Sequence, residues 1–177
     1  MLDKKLLTEI NLFSRLPMDR LERIAQESEI VHFKKDELVF SQDGAAINLY
    51  GVLDGEVELS LNFKDMVLKA DIRYEETNFS RFEYMERPIV VEVVGAGEIF
   101  GWSSVMSAAR ETTTARCSKA SRIVSVPAAY LKAMFHNDPS LGFIVMSGIS
   151  EIISRRLRTR TDKLVEAWGQ AFGTTEI

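Results

Sequence analysis

Leu49-Tyr50-Gly51-Val52-Leu53-Asp54-Gly55-Glu56-Val57-Glu58-Leu59-Ser60-Leu61 is the stretch whose reading decides the fold. Residues 56–61 alternate strictly between polar and apolar side chains, the period of a strand with one face buried, and place Val57, Leu59 and Leu61 inward. Residues 48–53 are more uniformly apolar and read as a second strand. Asp54-Gly55 between them is a strong short signal for a hairpin, because aspartate and glycine adopt the positive φ that tight turns demand.

Working outward, short strands continue on both sides. Residues 30–35 alternate, Leu38-Val39-Phe40 follows, and Gln42-Asp43-Gly44 marks a turn. Downstream, Ile89 to Val94 reads as a strand ended by Gly95-Ala96-Gly97, and Thr112 to Cys117 and Arg122 to Val126 supply two more, with Pro127 stopping the second. Between them, Phe63 to Arg87 carries Tyr74, Phe79, Phe82 and Tyr84 among Arg73, Glu75, Glu76, Arg81 and Glu83 with no clean period. It is read as a lengthened hairpin or loop, with a partner-binding arm as the functional alternative.

Both ends read as helices. Asp3 caps a short helix running towards Ile10, and Pro17 opens a second with Leu21, Ile24 and Ala25 on one face. Ala128 to His136 forms another. Asn137-Asp138-Pro139 is a helix start with a capping side chain and a proline in the first turn, and no proline interrupts the chain from there to Trp168. Leu141, Val145, Ile149, Ile152, Leu157, Leu164 and Trp168 read as one apolar stripe on a helix of roughly 30 residues, or about 45 Å. A helix that long outreaches so small a sheet domain, and a second copy is its expected partner. Helices, short strands, then helices give an α+β fold whose sheet closes on itself.

Composition narrows the function classes. The chain has 177 residues, 46% of them hydrophobic and 27% charged, which suits a globular domain with one long helix. The net charge of −4 provides no general attraction for nucleic acid. Cys117 is the sole cysteine, so an intrachain disulfide and a C-x-x-C site are both excluded. The N-terminus has no signal-peptide core, and no apolar run approaches the roughly 18 residues of a membrane span. A cytoplasmic protein is expected. Phosphate-cradling, nucleophile-elbow and histidine-rich motifs are missing, so an enzyme is not expected.

Five stretches in this order resemble the cyclic-nucleotide-binding domain, in the form that Crp/Fnr-type regulators use as effector domain. They are Asn11 to Leu16, Leu38 to Gly44, Leu49 to Val57, Gly97-Glu98-Ile99-Phe100-Gly101, and Phe135 to Gly142. The resemblance spans nearly the whole chain apart from residues 63–88. It implies a double-stranded β-helix, a jelly-roll-like β-roll, with N-terminal helices over residues 1–136. The long dimer helix then spans 137–170 and a tail 171–177.

In that family a short helix after the Phe-Gly pair presents its amides to the cyclic phosphate. A glutamate just after the glycine holds the ribose, and a later arginine pairs with the phosphate. Here the glutamate position is Trp102, and depending on loop length either Arg110 or Glu111 falls in the arginine position. The residues expected to meet a ligand are Gly101, Trp102, Ser103, Ser104, Arg110, Thr112 and Thr113. Trp102 either stacks on a base or fills the pocket.

The expected role is a regulatory module in signal transduction that senses a small ligand through a divergent phosphate-binding cassette. The ligand is left open among cAMP, cGMP and another small anion, and no cofactor or metal is assigned. The alternatives are a ligand-free dimeric scaffold with Trp102 in the pocket, and the effector domain of a transcription regulator without its helix-turn-helix, for which direct DNA binding is not expected. Arg155, Arg156, Arg158, Arg160 and Lys163 form a basic cluster, read as the solvated flank of the paired helix with Glu151 bonded to Arg155. Cys117 is read as a core residue. His32 and His136 lack metal-ligand spacing.

Overall fold

The computed structural model describes residues 2–71, 79–107 and 110–173. Two short helices, α1 (Lys4–Leu7) and α2 (Met18–Glu27), precede eight strands: β1 (Glu29–Phe33), β2 (Leu38–Phe40), β3 (Asn48–Asp54), β4 (Glu56–Asp71), β5 (Phe79–Gly95), β6 (Ile99–Phe100), β7 (Thr114–Cys117) and β8 (Ser121–Pro127). Helices α3 (Ala128–Asn137) and α4 (Pro139–Phe172) close the chain. The strands form two four-stranded antiparallel sheets, ordered β1-β8-β3-β6 and β2-β7-β4-β5. This is the β-roll that the sequence implies.

The opening stretch holds the main correction. Asp54-Gly55 joins two strands that do not pair with each other. β3 pairs with β8 and β6, whereas β4 pairs with β7 and β5. The dipeptide is therefore the corner at which the chain passes from one sheet to the other. Gly55 has φ +90°, and a Cβ there would lie 2.2 Å from the Ser121 hydroxyl and 2.5 Å from the Ala120 carbonyl. Glycine is required by conformation and by space.

The near-continuous apolar character of β3 follows from burial on both faces. Leu49 and Leu53 pack towards the helices, while Tyr50 and Val52 face the interior of the roll. In β4, Val57 and Leu59 point inward as expected. Leu61 does not: it is exposed, and Ser60 is buried instead. The pairing steps from Leu59 with Glu92 to Ser60 with Val90, so Val91 bulges and the parity of the ladder changes.

Beyond the bulge, β4 and β5 leave the roll as a long hairpin, paired as far as Asp71 with Phe79. The insertion is thus the lengthened hairpin, built by extending two roll strands. Residues 72–78, including Arg73, Tyr74, Glu75 and Glu76, and the side chains of 65–84 lie outside what the structure describes. The arm role expected of 63–88 falls there too.

The core has two parts. Leu7, Ile10, Phe13, Leu21, Ile24, Leu131, Met134, Leu141, Val145 and Ile149 cover the outer face of the first sheet. Val52, Val57, Leu59, Val94, Phe100, Ala115, Cys117 and Ile123 fill the roll, so Cys117 is a core residue. Asp138 caps α4 by accepting from the Leu141 amide at 3.0 Å, and Pro139 occupies its first turn.

The apolar pattern on α4 is two stripes rather than one. Leu141, Val145 and Ile149 are buried against the domain, while Leu157, Leu164 and Trp168 are exposed. The step of five from Ile152 to Leu157 turns the helix about 140° beyond a full turn and carries the pattern to the opposite face. Among the described residues, no helix is long and apolar enough to cross a membrane.

Candidate functional site

The segment after β6 is set by Gly101, whose φ of +72° starts a 3-10 turn over Trp102–Ser104. A Cβ at Gly101 would sit 2.7 Å from the Tyr50 ring. That ring stacks on Phe100 at 5.1 Å, and Phe40 lies 5.6 Å from Tyr50 and 5.9 Å from Phe100, so three aromatic rings occupy this part of the roll.

The structure gathers most of the expected site residues. Gly101, Trp102, Ser103, Thr112 and Thr113 line one cavity together with Leu59, Glu111 and Arg160. Its volume is about 30 Å³, a tenth or less of the roughly 300–1,000 Å³ of a ligand pocket. Ser104 is buried but turned away, its hydroxyl donating to the Gly101 carbonyl at 2.7 Å. Arg110 is exposed and donates to the Asp43 carbonyl at 2.7 Å. The two candidates for one position therefore face opposite ways, with Arg110 outward and Glu111 inward.

Glu111 is 3% exposed. Its backbone is fixed on both sides, the amide donating to Gly44 and the carbonyl accepting from Asp43, each at 2.9 Å. Burial pushes its carboxyl pKa from the ordinary 4.5 up to about 7, and a hydrogen bond with Ser103 offsets only part of this. Burial also raises the phenol of nearby Tyr50, and the Glu111 charge adds to that shift.

Above the cavity sits a group that sequence reasoning missed. The Arg156 guanidinium lies 4.5 Å from the centre of the Trp102 ring, in cation–π contact. It donates to the Ile99 carbonyl at 2.8 Å and pairs with Glu92 at 2.5 Å. The other Glu92 oxygen takes Arg160 at 3.1 Å. Trp102 is thus clamped from above by the long helix.

No family model matches the sequence, and no curated protein matches it. Solved structures do. A Geobacter metallireducens protein named for cyclic-nucleotide binding is 26% identical, with a TM-score of 0.67 over 89% of this chain and 99% of that one. A cyclic nucleotide-binding domain from Methylobacillus flagellatus is 16% identical, with a TM-score of 0.68 over 92% and 80%. The sensor domain of the transcriptional regulator DNR from Pseudomonas aeruginosa is 18% identical, with a TM-score of 0.60 over 87% and 95%. The fold is that of the Crp/Fnr-type cyclic-nucleotide-binding domain.

Within this cyclic-nucleotide-binding fold, Arg155, Arg158 and Lys163 of the basic cluster on α4 are exposed as a solvated flank would be, whereas Arg160 is half-buried and Arg156 buried. Arg156 is 6% exposed, and burial lowers its proton affinity while Glu92 and Glu98 raise it. Glu151 pairs with Arg15 at 3.4 Å rather than with Arg155. Arg155, Arg156, Arg160 and Lys163 face β5 across a cleft of about 350 Å³, and Arg158 does not line it. The sequence signal was available: positions 156, 160 and 163 follow the three-and-four spacing that carries Leu141, Val145 and Ile149 to the domain. His32 and His136 are both exposed, on β1 and α3.

Proposed function

We propose that this chain is a homodimeric regulatory domain of the cyclic-nucleotide-binding fold whose cassette is filled by its own side chains, and that it responds to a small anionic ligand other than cAMP or cGMP. The observation that carries the reading is Glu111, a buried carboxyl group that shares with Trp102 a cavity of only about 30 Å³. Family resemblance implies a phosphate-pairing arginine and a ribose-binding glutamate in this cassette. In its charged form Glu111 repels a phosphate, and an indole N–H donates but accepts nothing from a ribose hydroxyl. The names of the structural relatives argue for nucleotide binding in general, and these two residues argue against it here.

The dimer rests on the free face of α4. Phe143, Leu157, Leu164 and Trp168 are exposed, and with the half-buried Met146 and Ile153 they recur at steps of three, four and seven, a coiled-coil seam. A regulatory rather than catalytic role and a cytoplasmic location belong to the same reading; a single buried thiol fits a reducing compartment.

Calorimetry of the full chain with cAMP and with cGMP tests it. No binding is expected up to about 1 mM, and micromolar binding of either overturns the reading. Trp102→Glu combined with Glu111→Arg is expected to gain nucleotide affinity that the natural chain lacks. A chain that takes no small ligand at all would favour the second reading, a dimeric scaffold, which the packing of Phe40, Tyr50 and Phe100 inside the roll supports.

A further inference from the structure

The cleft between β5 and α4 lies outside the cassette cavity and is more than ten times its volume, about 350 Å³ against about 30 Å³. Val90, Val91, Glu92, Val93 and Glu98 form one wall. Arg155, Arg156, Thr159, Arg160 and Lys163 form the other. Four cations face two carboxylates, an excess of two positive charges on a chain whose net charge is −4.

Glu92 is fully committed and Glu98 through one oxygen. Both oxygens of Glu92 are taken, one by Arg156 and one by Arg160. Glu98 accepts from the Gly95 amide at 3.0 Å. Among the described residues, Arg155 and Lys163 have no acidic partner. The arginines are also under-satisfied, since Arg156 Nη1 and Arg160 Nε are buried without a hydrogen-bond acceptor. Leaving buried guanidinium donors unpaired is costly, and an acceptor entering beside them relieves that cost.

The cleft lies on the α4 face turned to the domain, across the helix from Leu157, Leu164 and Trp168. Pairing of that exposed seam therefore leaves it open. Its volume is at the small end of ligand pockets, too small for a protein segment or a nucleic-acid strand to be enclosed.

The geometry points to a binding site for a small phosphate monoester in this cleft. The dianionic phosphate sits between Arg155, Arg160 and Lys163, where guanidinium forks and a mobile ammonium match its oxygens. The Thr159 hydroxyl supplies a neutral donor, and the valine wall of β5 takes the organic part. Occupancy reaches both the dimer helix and the cassette, because Arg160 lines this cleft and the small cavity alike. The site rests on the reading of the domain as a small-anion sensor, but not on the closure of its cassette.

The test is calorimetry of the full chain with ribose 5-phosphate, with inorganic phosphate, and with ribose as the neutral control. Ribose 5-phosphate is expected to bind once per chain, inorganic phosphate more weakly, and ribose not at all. Arg155→Glu with Lys163→Glu changes two exposed residues, so the fold persists, and affinity should fall by about tenfold or more. Glu151→Gln, outside the cleft, should leave ribose 5-phosphate binding unchanged.

No heat with ribose 5-phosphate at about 10 mM overturns the site, as does undiminished binding after the double charge reversal. Inorganic phosphate binding as tightly as the sugar phosphate overturns the monoester assignment. Binding of cAMP that survives the cleft reversal contradicts the closed cassette while ribose 5-phosphate still reports on the cleft, so the two readings fail separately.

Discussion

The two halves of α4 are built from similar apolar residues and do opposite things. In the first half, Leu141, Val145 and Ile149 are fully buried and hold the helix to the roll. In the second, Leu157, Leu164 and Trp168 are between 52% and 64% exposed on the other face. At the crossover the face turned to the domain becomes polar, with Arg156 over Trp102 and Arg160 beside the cassette cavity. A single helix can thus turn its apolar stripe from one face to another part-way along. One step of five residues moves the apolar stripe, and buried arginines continue the contact that the aliphatic side chains began.

The comparison breaks most sharply at the exposed half. Leu157→Arg with Leu164→Arg should weaken self-association roughly 1,000-fold, about 4 kcal/mol, and leave the melting temperature of the monomer unaltered. Sedimentation at micromolar concentration reads this directly; an unchanged dimer would show that the seam lies elsewhere.

The buried half should respond in the opposite sense. Ile149→Ala is expected to cost about 3 to 4 kcal/mol in urea unfolding of the domain, because it opens a cavity in a packed contact. A cost below about 1 kcal/mol would mean that this half is no more anchored than the other.

Between the halves, Glu111 links stability to pH. Its folded-state pKa of about 7 exceeds the ordinary 4.5, so between these values the folded chain holds more protons than the unfolded one. Stability is therefore greatest below pH 4.5 as far as this group is concerned, falls as pH rises, and is lost above about 7. The expected loss is about 3 kcal/mol. Glu111→Gln should flatten that slope and raise the melting temperature at pH 8, and identical profiles for the two proteins would remove Glu111 from the account.

The smallest effect is expected at Glu151, on the helix surface. Its pair with Arg15 joins side chains 65% and 70% exposed, so Glu151→Gln should change unfolding by a few tenths of a kcal/mol. A larger change would show that surface charge, rather than the aliphatic face, fixes the first half.

Much of this was legible from local pattern. Residues 56–59 announced their inward face, Asp138-Pro139 announced the start of α4, and Gly101 to Thr113 pointed to the segment that surrounds the small cavity. The misreadings share one cause. Asp54-Gly55 signals a change of direction, but whether the next strand pairs with the last depends on what lies alongside, and β3 finds β8 and β6 instead. Leu61 fits the alternation, but β7 pairs with β4 only as far as Ser60, and Leu61 lies exposed just beyond it. Arg156 reads as a surface charge until Trp102 and Glu92, more than fifty residues away, are brought against it.

The sequence by itself determined most of the element order, the positive φ at Gly55, the start of the long helix, and the resemblance to the cyclic-nucleotide-binding domain. These depend on backbone conformation and on side-chain periodicity, which neighbouring residues dictate. Tertiary structure alone decided that Arg110 faces out and Glu111 faces in, that Trp102, Glu111 and Thr113 share a cavity of about 30 Å³, and that Arg155, Arg156, Arg160 and Lys163 line a cleft. Those outcomes depend on the balance of desolvation and pairing among groups distant in the chain, and only the packed fold sets the distances on which that balance turns.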